Sequence, residues 1–176
     1  PDDYPTIQAG IDIAQERDTV LVAPGTYTGD GNRDLTFHGV NLVLKSSDGA
    51  AATIIDCQAG YMDNHWGFYL NGFEDSTALI DGFTIKNSYT DELAAVYLTT
   101  SSPTIANCII TENDGSGILA VSDNFKWANR QRVHITGCTI TNNSAYGIYT
   151  FSRAEIRNCQ ISYNGIDGIY LLWADS

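Results

Sequence analysis

The sequence is short of positive charge, of proline, of helical periodicity and of long apolar runs. Nine Lys and Arg stand against 21 Asp and Glu, a net charge of −12, with four prolines in 176 residues. That balance argues against general nucleic-acid binding and favours solubility. No apolar run is long enough to span a membrane, and no charged-then-apolar leader opens the chain. It starts on Pro1 rather than Met, which we read as a processed product or an excised piece. Helical spacing occurs once, in YPTIQAGIDIAQER (4–17), where Ile7, Ile11 and Ala14 share a face, Asp3 can cap and Pro5 fits the first turn. The four cysteines include no C-x-x-C pair, so they carry no metal signature. What remains is 43% hydrophobic, enough for one packed domain.

The positive content is a repeat. HITGCTITNNSAYGIYT (134–150) returns as EIRNCQISYNGIDGIYL (155–171), with Ile three before a Cys, Ile two after it, Asn five after it and Gly-Ile-Tyr beyond. TIANCIITENDGSGIL (104–119) fits the same frame, as do LIDGFTIKN (79–87), with Phe83 for Cys, and TIIDC (53–57). The Cys-column positions are 57, 83, 108, 138 and 159, so each coil takes about 21–30 residues, the period of a solenoid. The cysteines fall in one column between inward isoleucines and read as buried small hydrophobes.

In chain order, a helix over 4–17 would cover the open end of the solenoid, because alone it is too short to be stable. DTVLVAPGTYTGDGNRD (18–34) reads as strand, Pro-Gly turn and loop, and LTFHGVNLVLKSSDG (35–49) as two short alternating strands. The spacing IxxCxIxxN imitates a leucine-rich repeat. The second half of each coil decides against that architecture: GIYT and GIYL are glycine-led, β-branched and aromatic, where a leucine-rich repeat needs a helix or a second leucine framework.

On TIQAGIDIAQERDTVLVAPGTYTG and SSPTIANCIITEN the whole chain resembles the right-handed parallel β-helix proteins of the pectin-lyase-like superfamily, above all secreted bacterial repeat proteins. The resemblance implies an all-β, single-stranded right-handed parallel β-helix of about seven coils over 18–176, with an N-terminal capping α-helix. At the roughly 4.8 Å spacing of paired strands, seven coils make a rod ~30 Å long. Ile80, Ile105, Ile135 and Ile156 would stack as one ladder, and Cys57, Phe83, Cys108, Cys138 and Cys159 as another. Asn87, Asn113, Asn143 and Asn164 would form an amide ladder at a turn.

Alternation decides what faces out. With Phe68, Val96, Ile118, Ile148 and Ile169 inward, Tyr69, Tyr97, Leu119, Tyr149 and Tyr170 form an outward row. Such a row could stack on sugar rings; equally, tyrosine suits an exposed parallel sheet in which neighbouring rings cover each other. GYMDNHW (60–66) and SYTDEL (88–93) before the row, and NGFEDST (71–77) and VSDNFKWANRQRV (121–133) after it, would wall a groove. Trp66 and Trp127 join the tyrosines as candidate substrate-binding residues. Asp63, His65, Asp91, Glu92, Lys126 and Arg130 are the candidate catalytic ones. A lyase acting on an acidic polysaccharide needs a cation and a base, parts for Lys126, Arg130 and His65. A hydrolase needs paired carboxylates, parts for Asp63 with Asp91 or Glu92. The same three carboxylates are a candidate Ca²⁺ set, without a ligand motif. The chain carries neither the Gly-His-Gly tripeptide nor the Arg signature of the superfamily's pectin-degrading enzymes.

Two functions follow as expectations. One is an extracellular or cell-surface protein that binds a polysaccharide on the tyrosine row, with cleavage as a further option. The other is a non-catalytic structural or adhesive module of a larger surface protein. The last coil ends at GIYLLWADS without a cap, which leads us to expect either self-association through that end, with Trp173 nearby, or continuation of the coils.

Overall fold

The computed structural model describes residues 4–121 and 132–172 and, within these, the backbone but not the side chains of 90–93. A short helix, α1 (Ile7–Ile13), precedes strands that recur in threes. The first sheet holds β1 (Thr19–Val22), β3 (Val43–Ser46), β6 (Leu79–Asp81), β9 (Thr104–Ala106), β12 (Arg132–Thr136) and β15 (Arg153–Arg157), in that spatial order. The second holds β2 (Gly25–Tyr27), β4 (Thr53–Asp56), β7 (Thr84–Lys86), β10 (Ile109–Thr111), β13 (Thr139–Thr141) and β16 (Gln160–Ser162). The third holds β5 (Phe68–Leu70), β8 (Tyr89–Thr99), β11 (Asp114–Val121), β14 (Ile148–Thr150) and β17 (Ile169–Leu171). Every ladder between these strands is parallel, so the chain winds as a β-helix. The described residues make six rungs, fewer than the expected seven. In the first of them a single bridge from Leu35 to Phe68 stands where the third-sheet strand would be, so 35–49 supplies one strand rather than two.

Strand identity follows from β-branched residues at alternate positions, and the corners from residues that tolerate left-handed backbone. Between the first and second sheets the bend falls on Gly82, Asn107, Gly137 and Asn158, at φ 81°, 50°, 64° and 53°. Between the second and third it falls on Asn87, Glu112, Asn142 and Tyr163, all near 56°. The third-sheet strand is glycine-led for want of room: a Cβ on Gly147 would lie 2.5 Å from the Gly168 carbonyl oxygen.

Inside, Ile80, Ile105, Ile135 and Ile156 stand in register, as expected, and Leu44 extends their ladder. Ile55, Ile85, Ile110, Ile140 and Ile161 form a second ladder, and Phe68, Val96, Ile118, Ile148 and Ile169 a third. Cys108, Cys138 and Cys159 stack below Phe83, their thiols directed at backbone carbonyls of their own and the preceding rung.

Two expected members leave their columns. Register pairs Ile55, not Ile54, with Ile85, so Thr53 takes the Cys column and Cys57 lies beyond the strand. Thr53 is tolerated inside because its hydroxyl meets that of Ser46 at 2.6 Å. Cys57 remains buried, and burial, aided by the Asp34 and Asp56 charges, pushes its thiol up to about 12. Asn87 is the left-handed corner residue and bonds Asp56 instead (2.8 Å). The amide ladder runs Asn113 to Asn143 (2.9 Å) to Asn164 (3.0 Å), and the Ser88 N–H closes it on the Asn113 oxygen (3.0 Å).

The helix is shorter than 4–17. Thr6 is its N-cap, accepting from the Ala9 N–H at 3.2 Å; Asp3 lies outside the described residues. Ile7 and Ile11 are buried over the first rung as expected. The Gln8 amide pairs with both the N–H and the carbonyl of Thr36 at 3.0 Å, acting as a neighbouring strand would at an open edge. At the other end Ile169 and Leu171, expected in the core, are 42% and 59% exposed. Their side chains have a rung on one side only among the described residues; Trp173 lies outside them.

Candidate functional site

The outer face of the third sheet carries the row that alternation assigns it. Tyr69 pairs with Tyr97, Tyr97 with Leu119, Leu119 with Tyr149 and Tyr149 with Tyr170. Leu119 is 8% exposed and divides the aromatics into two groups. On one side Trp66, Tyr69 and Tyr97 stack, with ring centres 5.3 and 5.4 Å apart and planes within 22°. Their faces largely cover one another. On the other side Tyr146, Tyr149, Phe151 and Tyr170 meet at tilts of 35° to 68°, so faces as well as edges remain open. Burial and the neighbouring Tyr170 and Tyr146 hold the Tyr149 hydroxyl above its ordinary range, which keeps it a donor.

Beside the Trp66 stack lies the one polar cluster that candidate residues build. His65 Nδ1 meets Asp34 Oδ2 at 2.5 Å, and His65 Nε2 meets Asp63 Oδ1 at 3.0 Å. The other Asp34 oxygen accepts from the Trp66 N–H at 2.8 Å. His65 exchanges backbone bonds with Tyr89, which fixes the 60–66 loop to β8. Arg33 Nη1 donates to the Cys57 carbonyl at 2.8 Å and approaches Asp63 Oδ2 at 4.0 Å; its Nη2 reaches Asp30 at 3.3 Å. Both ring nitrogens are thus engaged by carboxylates, and the base role foreseen for His65 requires one of these contacts to break first.

Asp63 is 63% exposed and is the described candidate carboxylate nearest the row. Asp91 and Glu92 belong to β8, whose start replaces the expected 88–93 loop; a bulge separates Asp114–Tyr89 from Ser116–Ala94 in the pairing with β11. Their side chains lie outside the description, as do Lys126, Trp127 and Arg130 entirely. Among the described residues no three His, Cys, Asp or Glu side chains gather as metal ligands. Of the two carboxylates of the 71–77 loop, Asp75 is exposed and accepts from the N–H and hydroxyl of Thr77 within the loop. Glu74 folds inward, fully buried, and accepts from Gly39 N–H (2.9 Å), Gly72 N–H (3.0 Å) and Ser101 Oγ (2.5 Å), tying three rungs together.

Asp34 is the residue that sequence reasoning missed. It meets His65 because the first rung sits against the second, and no repeat column of 53–176 extends back to 34. The one usable signal was the hydrophobic pair Leu35 and Phe68, which places Asp34 beside Gly67 and Trp66. A further groove of about 520 Å³ opens at the corner before the row, between Tyr61 on the 60–66 loop and Tyr89, Glu112 and Asp114.

Residues 27–176 match the family model described as right handed beta helix region. No curated protein and no solved structure matches the chain.

Proposed function

The chain belongs to the right-handed β-helix family, and from that membership we propose a secreted or cell-surface protein that binds a polysaccharide along the outer face of the third sheet. The observation that carries this reading is the register of Tyr69 with Tyr97 and of Tyr149 with Tyr170, two partly exposed pairs in one column of the sheet with Leu119 on the rung between them. A repeating ligand is matched by a repeating platform, and the tilted Tyr146–Tyr149–Tyr170 group leaves ring faces open to sugar C–H groups. Secretion rests on the likeness of the opening and the coils to secreted bacterial repeat proteins.

Binding needs only the row. Cleavage needs an acid–base pair, and Asp63 is the sequence candidate whose carboxylate is both described and exposed. The second reading, a structural or adhesive module, is favoured by one specific observation: Trp66, Tyr69 and Tyr97 satisfy each other's faces. A glycan array, run with and without Ca²⁺ and followed by product analysis on each hit, separates these readings. Hits weakened by Tyr149→Ala support the polysaccharide platform; an array without hits favours the module; new reducing or unsaturated ends would add catalysis.

A further inference from the structure

We propose that the groove at the corner before the row is a sugar site of its own, sized for a disaccharide; this rests on the polysaccharide reading above and adds a second contact away from the row. The groove follows the bend between the second and third sheets across three rungs. Gln58 and Tyr61 stand on one, Asn87 and Tyr89 on the next, and Glu112 and Asp114 on the third. Its volume of about 520 Å³ falls within the roughly 300–1,000 Å³ of small-molecule sites. Tyr61 is mounted for contact. Its ring is 81% exposed, yet its backbone is fixed. Gly60 and Asp63 exchange backbone hydrogen bonds at 3.1 and 2.8 Å, which makes Tyr61 and Met62 the two tip residues of a tight turn. The Ala59 N–H on the Asn87 carbonyl (2.9 Å) and the exchange between His65 and Tyr89 tie both sides of that turn to the next rung. A ring held outward in this way adds little to its own core, and its backbone gives up little freedom when a ligand covers it.

The polar lining suits hydroxyls presented in adjacent pairs. Among the described residues the exposed Glu112 carboxylate has no hydrogen-bond or ion-pair partner, so both of its oxygens can accept. Asp114 accepts from the Ser144 hydroxyl through one oxygen (2.8 Å), and Asn87 donates its Nδ2 to Asp56 (2.8 Å), so each keeps an acceptor oxygen for a ligand. The Gln58 amide adds donors beside them. Neighbouring hydroxyls of a sugar donate and accept together, and the Tyr61 and Tyr89 rings supply apolar faces for its C–H groups. The one aliphatic side chain of the described lining is Ala59, too small a surface to hold a lipid chain.

The test is saturation-transfer NMR of the full chain with cellobiose, mannobiose, lactose and diacetylchitobiose, followed by titration of each binder. The expected result is that at least one disaccharide binds, and that Tyr61→Ala and, separately, Glu112→Gln each weaken it fivefold or more. Tyr61→Phe, which keeps the ring, should weaken it less than twofold. Tyr61 and Glu112 are exposed, so neither substitution opens the core, and circular dichroism checks that each variant is folded. Two results overturn the inference: none of the four disaccharides bound, or an affinity that either Tyr61→Ala or Glu112→Gln leaves unchanged. Both leave the row standing, because its own failure is read separately, in array hits that are indifferent to Tyr149→Ala.

Discussion

The rung β12–β13–β14 and the rung β15–β16–β17 are nearly the same sequence and do not have the same physics. Their columns pair one to one: Ile135 with Ile156, Ile140 with Ile161, Ile148 with Ile169. Yet Ile148 is fully enclosed and Ile169 is 42% exposed, Cys138 is buried and Cys159 half-buried, Asn143 is buried and Asn164 only partly. A residue's column fixes which way it points. Its burial is fixed by whether a rung lies on each side, which is a property of the stack and not of the repeat. In a solenoid each rung contacts only its neighbours, so a rung with one described neighbour has half the packing of one with two.

The sharpest break in this comparison is a pair of identical deletions. Ile148→Ala should cost about 2–5 kcal/mol, as a cavity between two rungs that cannot collapse. Ile169→Ala should cost less than about 1 kcal/mol, because much of its surface is already in water. Chemical denaturation of both variants measures this, and equal losses would mean that the last rung is covered after all.

Next is the amide ladder. Asn143→Ala removes one of the Asn113 amide's acceptors and the amide that donates to the Asn164 oxygen and the Ile110 carbonyl, and should cost roughly 1–3 kcal/mol. Asn164→Ala, at the half-exposed end, should cost less than Asn143→Ala by at least half. Asn87→Ala loses the contact to Asp56 and puts alanine at a left-handed corner that asparagine tolerates better, and should cost less than Asn143→Ala.

The thiols give a smaller but cleaner readout. Burial raises Cys57 to about 12 and also raises Cys159; Cys138, hydrogen-bonded to Cys108 and buried, is raised too. At neutral pH Cys159 should react first with a thiol reagent, and Cys57, Cys108 and Cys138 only on unfolding. All four should titrate as free after denaturation. The pH dependence has a definite sign. A thiol whose folded pKa lies above its unfolded value, near 8.5, contributes stability fully present below that value and lost as pH rises towards about 12. Thermal melts should therefore decline across this alkaline window.

The least expected change in stability is at the row itself. Tyr149→Ala removes an outward ring and should lower the melting temperature by only a few degrees, while weakening glycan binding tenfold or more.

How much of this was legible in the sequence divides along the same line as the two rungs. Most column positions were legible: the isoleucine ladder from 80 to 156, the Cys stack from 108 to 159 and the outward tyrosines from 69 to 170 all stand in the expected register. The errors lie at corners. Cys57 imitates the Ile-x-x-Cys spacing, but alternation buries Ile55 rather than Ile54, and a satisfied Thr53 hides in the core where a hydrophobe was expected. Asn87 is one residue short of the ladder, where Ser88 supplies only a backbone N–H. The Asp34–His65 contact and the Glu74 tie depend on how the first rung packs against the second. No repeat marks that rung, because loops of unequal length absorb the period.

The central claim is that the third sheet's outer face is where a polysaccharide lies. Hydrogen-exchange mass spectrometry, with and without saturating amounts of the tightest array hit, tests it most directly. The account predicts protection in peptides covering β5, β11 and β14 and the 60–66 loop, with first-sheet strands β9 and β12 unchanged. Protection confined to the first sheet, with the tyrosine-bearing strands unaltered, would contradict it.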